Sequence, residues 1–255
     1  YCVFRKTIYE TQYEIRNTPK GFTVSSSTPK PLQILNIVSI LMFIISLGLV
    51  FFYAPREAVM GEAQRIFYYH VPSAWLSFVA FGVTLIAGIA YLRTSDHRWD
   101  RLGIASVEVG IVFAVMALLS GMLWARPIWN TWWTWDPRLT TYTILLLIYF
   151  AYLMLRQGIE DPDKRARFGS VYGIVGFISV PITYFSIYLW RTIHPAVFGR
   201  NESETKMSME PQMLQTFIFC NIFFMVVFVT LLWHRFRLES NTARVEELRM
   251  KASNT

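Results

Sequence analysis

LQILNIVSILMFIISLGLVFFY, residues 32–53, contains no charged side chain, and only Gln33, Asn36, Ser39 and Ser46 interrupt its apolar character before Tyr53. About 20 such residues form a helix long enough to cross the roughly 30 Å hydrocarbon core of a bilayer. The run lacks the apolar–polar alternation of a strand, so helix is the expected form. Five further stretches read the same way: Pro72 to Leu92, Gly103 to Trp124, Thr140 to Leu155, Phe168 to Trp190 and Gln212 to Trp233. The fourth is short and is expected to begin inside the loop before it. The sequence therefore predicts an all-α polytopic membrane protein with six transmembrane helices. Composition agrees: 54% of the 255 residues are hydrophobic, mean hydropathy is +0.36, and 16% are charged, against roughly 25% in soluble domains. Soluble, disordered and collagen-like classes are excluded by the same figures.

Lys and Arg set the expected orientation. Seventeen fall on the side of both termini, the second–third loop and the fourth–fifth loop, and seven on the other side. Both termini are predicted to be cytoplasmic. The net charge of +7 is thereby a topology signal toward the membrane lipid, and nucleic acid is not implied. Residues 1–31 are expected to be a cytoplasmic tail, disordered over 17–31 by composition. Residues 32–234 form the membrane domain with an outer Trp-rich loop, 124–139, and residues 235–255 a cytoplasmic C-terminal tail. Residues 1–31 lack an apolar segment of the secretory type, and the first residue is Tyr1 rather than Met, which leaves the true N-terminus open. Ser208-Met209-Glu210-Pro211 reads as a helix start with Pro211 in the first turn.

Trp124, Trp129, Trp132, Trp133 and Trp135, five of the nine tryptophans, lie within twelve residues of one predicted outer loop. An aromatic belt would populate both interfaces. Here Trp75 and Trp190 join the outer set and only Trp99 and Trp233 lie inside. That imbalance favours a platform that stacks on a flat apolar ligand or packs on a partner. His70 and His194 are predicted at the same outer depth, flanking this loop, whereas His97 and His234 are cytoplasmic and receive no role. Singly, each outer histidine reads as an interfacial residue. As a pair, two neutral imidazoles suit a metal, and haem iron is a natural choice. Haem propionates need cations, and Arg65 and Arg138 are the outer candidates, with snorkelling arginines as the plain alternative. Asp136 could orient an indole or loop N–H, or pair with Arg138. Glu108, the one acid within a span, is expected to snorkel or pair with Arg101. Pro181 is expected to kink the fifth helix, and Trp190 and His194 would share a face if that helix continued. Two cysteines, Cys2 and Cys220, are too few for a zinc cluster, and there is no CxxCH for covalent haem attachment. No classical catalytic constellation is present, so an enzyme is not expected.

The segments RIFYYHVPSA (65–74), ARPIWNTWWTWDPRLT (125–140), PITYFSIYLWRTIH (181–194) and SMEPQM (208–213) resemble the tryptophan-rich WWD-signature proteins that handle haem in cytochrome c biogenesis. Within that group they are most similar to the haem exporter protein C (CcmC) family, whose pattern carries Gly where this chain has Asn130. The resemblance implies that non-covalent haem b is held at the periplasmic face of the bacterial inner membrane, with a mitochondrial inner membrane as the other setting. It implies axial ligation by His70 and His194 and a haem-edge loop containing Trp129, Trp132, Trp133, Trp135 and Asp136. Arg65 and Arg138 would meet the propionates. Delivery would be to the haem chaperone CcmE, alongside CcmD and the ATP-binding cassette exporter CcmA and CcmB.

Two other functions stay open on the residues alone. One is a transmembrane b-type cytochrome, which normally buries its histidines mid-span. The other is a haem-free scaffold or transporter that docks a partner through the tryptophan loop.

Overall fold

The computed structural model describes residues 28–194 and 210–253. The expected N-terminal tail falls almost entirely outside this range, as does most of the loop before Pro211. Seven α-helices form the six spans: α1 (Lys30–Gly48), α2 (Phe67–Thr94), α3 (His97–Trp129), α4 (Pro137–Gln157), α5 (Pro162–Gly176), α6 (Ser179–Leu189) and α7 (Pro211–Ser253). Six helical segments are long and apolar enough to cross a membrane, and no strand is formed among the described residues. The chain is a multi-pass membrane protein.

Helix limits follow local chemistry. Asp96, Asp136 and Asp161 cap α3, α4 and α5, each carboxylate accepting a backbone N–H two residues on, which satisfies a donor the helix itself leaves orphaned. Proline follows Asp136 and Asp161 at the first helical position, where its missing N–H costs nothing. The fourth span accordingly begins at Pro137, inside the tryptophan loop, and α7 begins at Pro211. The fifth span is broken between Gly176 and Ser179. Pro181 has no N–H for the Phe177 carbonyl, and its ring crowds that turn, which accounts for a break near the position of the expected kink. The helix does not continue to His194, however. It ends at Leu189, and Trp190 is extended (φ −128°, ψ 158°), so Trp190 and His194 do not share a helix face.

The 43 residues of α7 extend roughly 65 Å at 1.5 Å per residue, about twice the bilayer core. The expected C-terminal tail is therefore largely a continuation of the last helix.

Packing is closest between α2 and α3, where small residues let the backbones approach. A Cβ on Gly110 would stand 2.8 Å from a Phe81 ring carbon and 2.9 Å from the Ala80 methyl. Phe81 in turn stacks on Tyr149 of α4, with centroids 3.5 Å apart and planes 6° apart. A core of Phe81, Val107, Ala114, Leu145 and Tyr149 joins α2, α3 and α4. A second core joins α2 and α3 to α7 through Phe113, Phe223, Phe224 and Phe228. α1 packs against α7 and leaves Ile34, Ile37, Ile40, Leu41 and Ile44 exposed, as suits a lipid-facing helix.

Ion pairs lock the end opposite the tryptophan loop. Arg156 of α4 makes a two-pronged bond to Asp100 of α3, at 2.5 and 2.8 Å, with both side chains nearly buried. Gly169 leaves the room: a Cβ there would lie 2.5 Å from Arg156 Nη1. Glu108 pairs with Arg235 of α7, which also holds Glu239. Arg101, the expected partner, is not the one used, because Arg235 reaches Glu108 from the facing helix.

Candidate functional site

At the tryptophan-loop end, α2, α3 and α4 line a partly open cavity of about 90 Å³. His70 and His194 both line it, together with Trp75, Trp124, Trp129, Trp133 and Arg138. Side chains from four separate parts of the sequence thus converge on one apolar chamber.

His70 sits one turn into α2 and is fixed by α3. Its Nδ1 lies 3.0 Å from the Ala117 carbonyl and 3.1 Å from Ser120 Oγ. The Ser120 hydroxyl donates to Met116 O at 2.7 Å, so both Nδ1 neighbours act as acceptors and the ring proton resides on Nδ1. Nε2 then carries the lone pair, the arrangement a metal-binding imidazole adopts when a carbonyl holds its other nitrogen. Gly121 completes the seat, since a Cβ there would stand 3.0 Å from His70 Cε1. Gly110, Ala114, Ala117 and Gly121 recur on one face of α3. That stripe was a legible sign of close helix approach, but nothing in it singled out a histidine seat.

His194 lies in the non-helical segment after α6, and its backbone N–H donates to Thr192 Oγ1 at 3.0 Å. Arg138, in the first turn of α4, donates from Nη1 to the carbonyls of Thr183 (2.6 Å) and Tyr184 (2.9 Å) on α6. Its guanidinium carbon stands 5.9 Å from the Phe78 ring centre. The arginine is thereby held at the cavity wall with its charge directed by carbonyls rather than cancelled by a carboxylate.

The tryptophans divide into two sets. Trp124 and Trp129 meet edge to face at 5.1 Å and line the cavity with Trp133. Trp132 and Trp135 do not line it; they are 52% and 81% exposed. Trp135 touches Trp133 edge to face at 5.8 Å, and Arg126 lies 6.0 Å from the Trp132 ring centre. The turn between α3 and the loop is made by Asn130 in the left-handed region (φ 55°). Asparagine tolerates that region better than other side-chain-bearing residues. Arg126 Nη1 reinforces it, donating to both Asn130 O and Oδ1 at 2.7 Å.

Arg65, expected beside the ligand, is instead committed to the π-helical turn Leu49–Tyr53 that continues α1. It donates to the carbonyls of Val50 and Ala54 and pairs with Glu62 at 2.5 Å, binding up the carbonyl end of that turn, and it does not line the cavity. Asp136 is also off the cavity. Buried at 8% exposure, it caps α4 and reaches the Thr192–Ile193 segment, so of the expected roles the loop N–H is the one observed. Among the described residues no group of three or more His, Cys, Asp or Glu could hold a bare metal ion. A pair of histidines with an apolar, indole-lined wall suits a metal carried in a flat macrocycle, which supplies the remaining ligands itself.

The family model described as Heme exporter protein C, CcmC, matches residues 15–251. The chain belongs to the haem exporter protein C family. It is 37% identical over 198 residues to the heme exporter protein C of Bradyrhizobium diazoefficiens, an alignment covering 77% of this chain and 74% of that protein. It is 28% identical over 206 residues to the protein of that name from Escherichia coli K12, with 79% and 82% covered. A cytochrome c biosynthesis ccmC-like mitochondrial protein of Marchantia polymorpha is 33% identical over 141 residues, with 55% of this chain and 59% of that protein covered. As a member of the haem exporter protein C family, the chain is a haem-handling membrane component rather than a classical enzyme.

Proposed function

We propose that this chain holds haem b non-covalently at the periplasmic face of the bacterial inner membrane, or the equivalent face of a mitochondrial one, and delivers it to the chaperone CcmE during cytochrome c maturation. The observation that carries the reading is the convergence of His70 and His194 on one tryptophan-walled cavity. Haem is the cargo, its iron bound by the two imidazoles. His70 offers Nε2 from a rigid seat, Trp129 and Trp133 supply apolar walls, and Arg138 supplies the cation for a propionate. Arg65 acts at one remove, by tying the turn after α1 to the start of α2. The exposed indoles of Trp132 and Trp135 provide the surface on which CcmE docks. CcmD and the exporter formed by CcmA and CcmB are the membrane partners in this reading; family membership supports the exporter components.

Orientation is testable first. The seventeen-to-seven distribution of basic residues supports an outer tryptophan loop and cytoplasmic termini. Single cysteines in the loop of residues 130–135 should react with an impermeant thiol reagent in intact cells, and cysteines at 158–161 should not, in a background lacking Cys2 and Cys220. Labelling confined to the second loop would reverse the topology.

Holding and handing on should then separate. Trp132 and Trp135 do not line the cavity, so Trp132→Ala and Trp135→Ala should leave haem content close to that of the parent, whereas an indole stacked in the wall is worth about 0.5–1.5 kcal/mol beyond area burial. Handover depends on docking geometry, where a displacement of about 1 Å can cost on the order of 100-fold in rate. Haem-loaded CcmE should therefore fall far more than haem on this chain in these two variants, whereas Trp129→Ala and Trp133→Ala should lower both. Haem per purified protein and haem on CcmE, measured in the same cells, check this. Strictly proportional losses in all four variants would reduce the loop to a binding wall.

A further inference from the structure

His194 presents a physical problem that His70 does not. α6 ends at Leu189 and Trp190 is extended, its N–H still donating to the Ser186 carbonyl at 3.1 Å, so the helical hydrogen-bond ladder stops short of the four residues from Arg191 to His194. A ligand on such a segment is imprecise unless something outside the segment holds it. Asp136 reaches it from outside. Both carboxylate oxygens accept from Thr192 Oγ1 at 2.7 Å, and Oδ2 also accepts from the Ile193 N–H at 2.9 Å. Thr192 Oγ1 then accepts the His194 N–H at 3.0 Å. The backbone on both sides of the Ile193–His194 peptide is thus tied, directly or through one hydroxyl, to a single buried carboxylate. That carboxylate is itself immobilised, because it caps α4 by accepting the Arg138 N–H at 2.9 Å and is followed by the rigid Pro137.

We infer that Asp136, acting through the hydroxyl of Thr192, is the positioning residue that sets His194 at the cavity. The inference rests on the axial role of His194 proposed above, yet the clamp itself belongs to the haem-free chain and is measurable there. A helix cap alone would need only the Arg138 N–H. The three additional contacts to Thr192 and Ile193, from a side chain with an exposure of 8%, are what a cap does not require. The chemistry distinguishes the two roles. Asparagine is as good a cap as aspartate, but its amide NH2 would face the Ile193 N–H donor. Asp136→Asn therefore keeps the cap and, through Oδ1, an acceptor for Thr192, and loses the arm of the clamp that holds Ile193. Thr192→Val removes the hydroxyl bridge at nearly constant shape without touching the cap, and Thr192→Ser retains the hydroxyl.

The test uses the full chain in two states. In haem-free protein lacking Cys2 and Cys220, spin labels at Val59→Cys and Arg191→Cys, both exposed positions, should give one narrow distance distribution. It should broaden in Asp136→Asn and Thr192→Val and stay narrow in Thr192→Ser. In haem-loaded protein, Thr192→Val should lose the six-coordinate absorption spectrum as His194→Gly does. Retained haem should fall about 10- to 100-fold, the usual effect of removing a group that orients a metal ligand. Added imidazole should restore six-coordination in both, and Thr192→Ser should resemble the parent. An unbroadened distance in Thr192→Val overturns the inference. So does a broadened distance with a parental haem spectrum in Thr192→Val while His194→Gly is altered. If the distance broadens but His194→Gly itself leaves the spectrum unchanged, the axial assignment has failed, and the positioning role falls with it for that separate, visible reason.

Discussion

Glycine in place of His70 is expected to lower the haem retained by the purified chain by at least about 100-fold, exceeding the 10- to 100-fold typical of losing a group one step removed from the metal. The reason lies in how the imidazole is held. The Ala117 carbonyl and Ser120 Oγ accept its Nδ1 proton, and Gly121 packs against the ring, so the lone pair on Nε2 is fixed before any ligand arrives. Glycine leaves an imidazole-shaped vacancy on that rigid seat, and millimolar free imidazole should refill it and restore much of the haem. His194→Gly should be milder, because its segment is held by side-chain contacts from Asp136 and Thr192 rather than within a helix. The double variant should retain essentially none. Haem-to-protein ratios of chains purified in parallel measure this; a His70→Gly protein within twofold of the parent would contradict the seat's assigned role.

Asp100→Ala should destabilise the folded chain by about 3–5 kcal/mol, the range for removing one partner of a buried ion pair. Arg156 is 9% exposed and its two-pronged contact with Asp100 joins α3 to α4. Without the carboxylate its charge stays buried, since Gly169 lies directly against Nη1 and the packed helices leave the guanidinium no easy exit. Replacing both residues, Asp100→Leu with Arg156→Met, should recover most of the loss, because the greater part of it is the desolvated charge left alone. Unfolding by denaturing detergent in mixed micelles reads both variants. A shift under about 1 kcal/mol for Asp100→Ala would mean that Arg156 finds water or another acceptor at small cost.

These two sites differ in how visible they were before any coordinates. The spans were legible because twenty apolar residues in a row have one physical meaning; α7 began where Glu-Pro indicated, and α4 began inside the loop before it, as its short apolar stretch suggested. The break before Pro181 is in keeping with that residue's missing N–H. The helix limits were harder. Capped, amphiphilic ends extend α3 to His97–Trp129, and the last helix runs twenty residues past its apolar stretch, where hydropathy gives no signal. His70, His194 and Arg138 were legible as a set from residue type and depth, and they do line one cavity. Their partners were not. The Ala117 carbonyl and the Thr192 hydroxyl act through geometry that only the packing of α2 on α3, and of the Thr192 segment on Asp136, creates. Arg65 shows the converse. Its charge and depth suited a propionate, but nearby helix-end carbonyls compete for any arginine within reach, and here they won. Glu108 likewise found Arg235, 127 residues away in sequence, rather than its neighbour Arg101.

The central claim is that His70 and His194 together ligate haem iron. Low-temperature electron paramagnetic resonance of the ferric, haem-loaded parent chain tests it most directly. Two axial imidazoles predict a low-spin signal in the parent that converts to high-spin on replacing either histidine with glycine and returns when imidazole is added. High-spin iron in the parent, or a low-spin signal that survives loss of both histidines, would contradict the account.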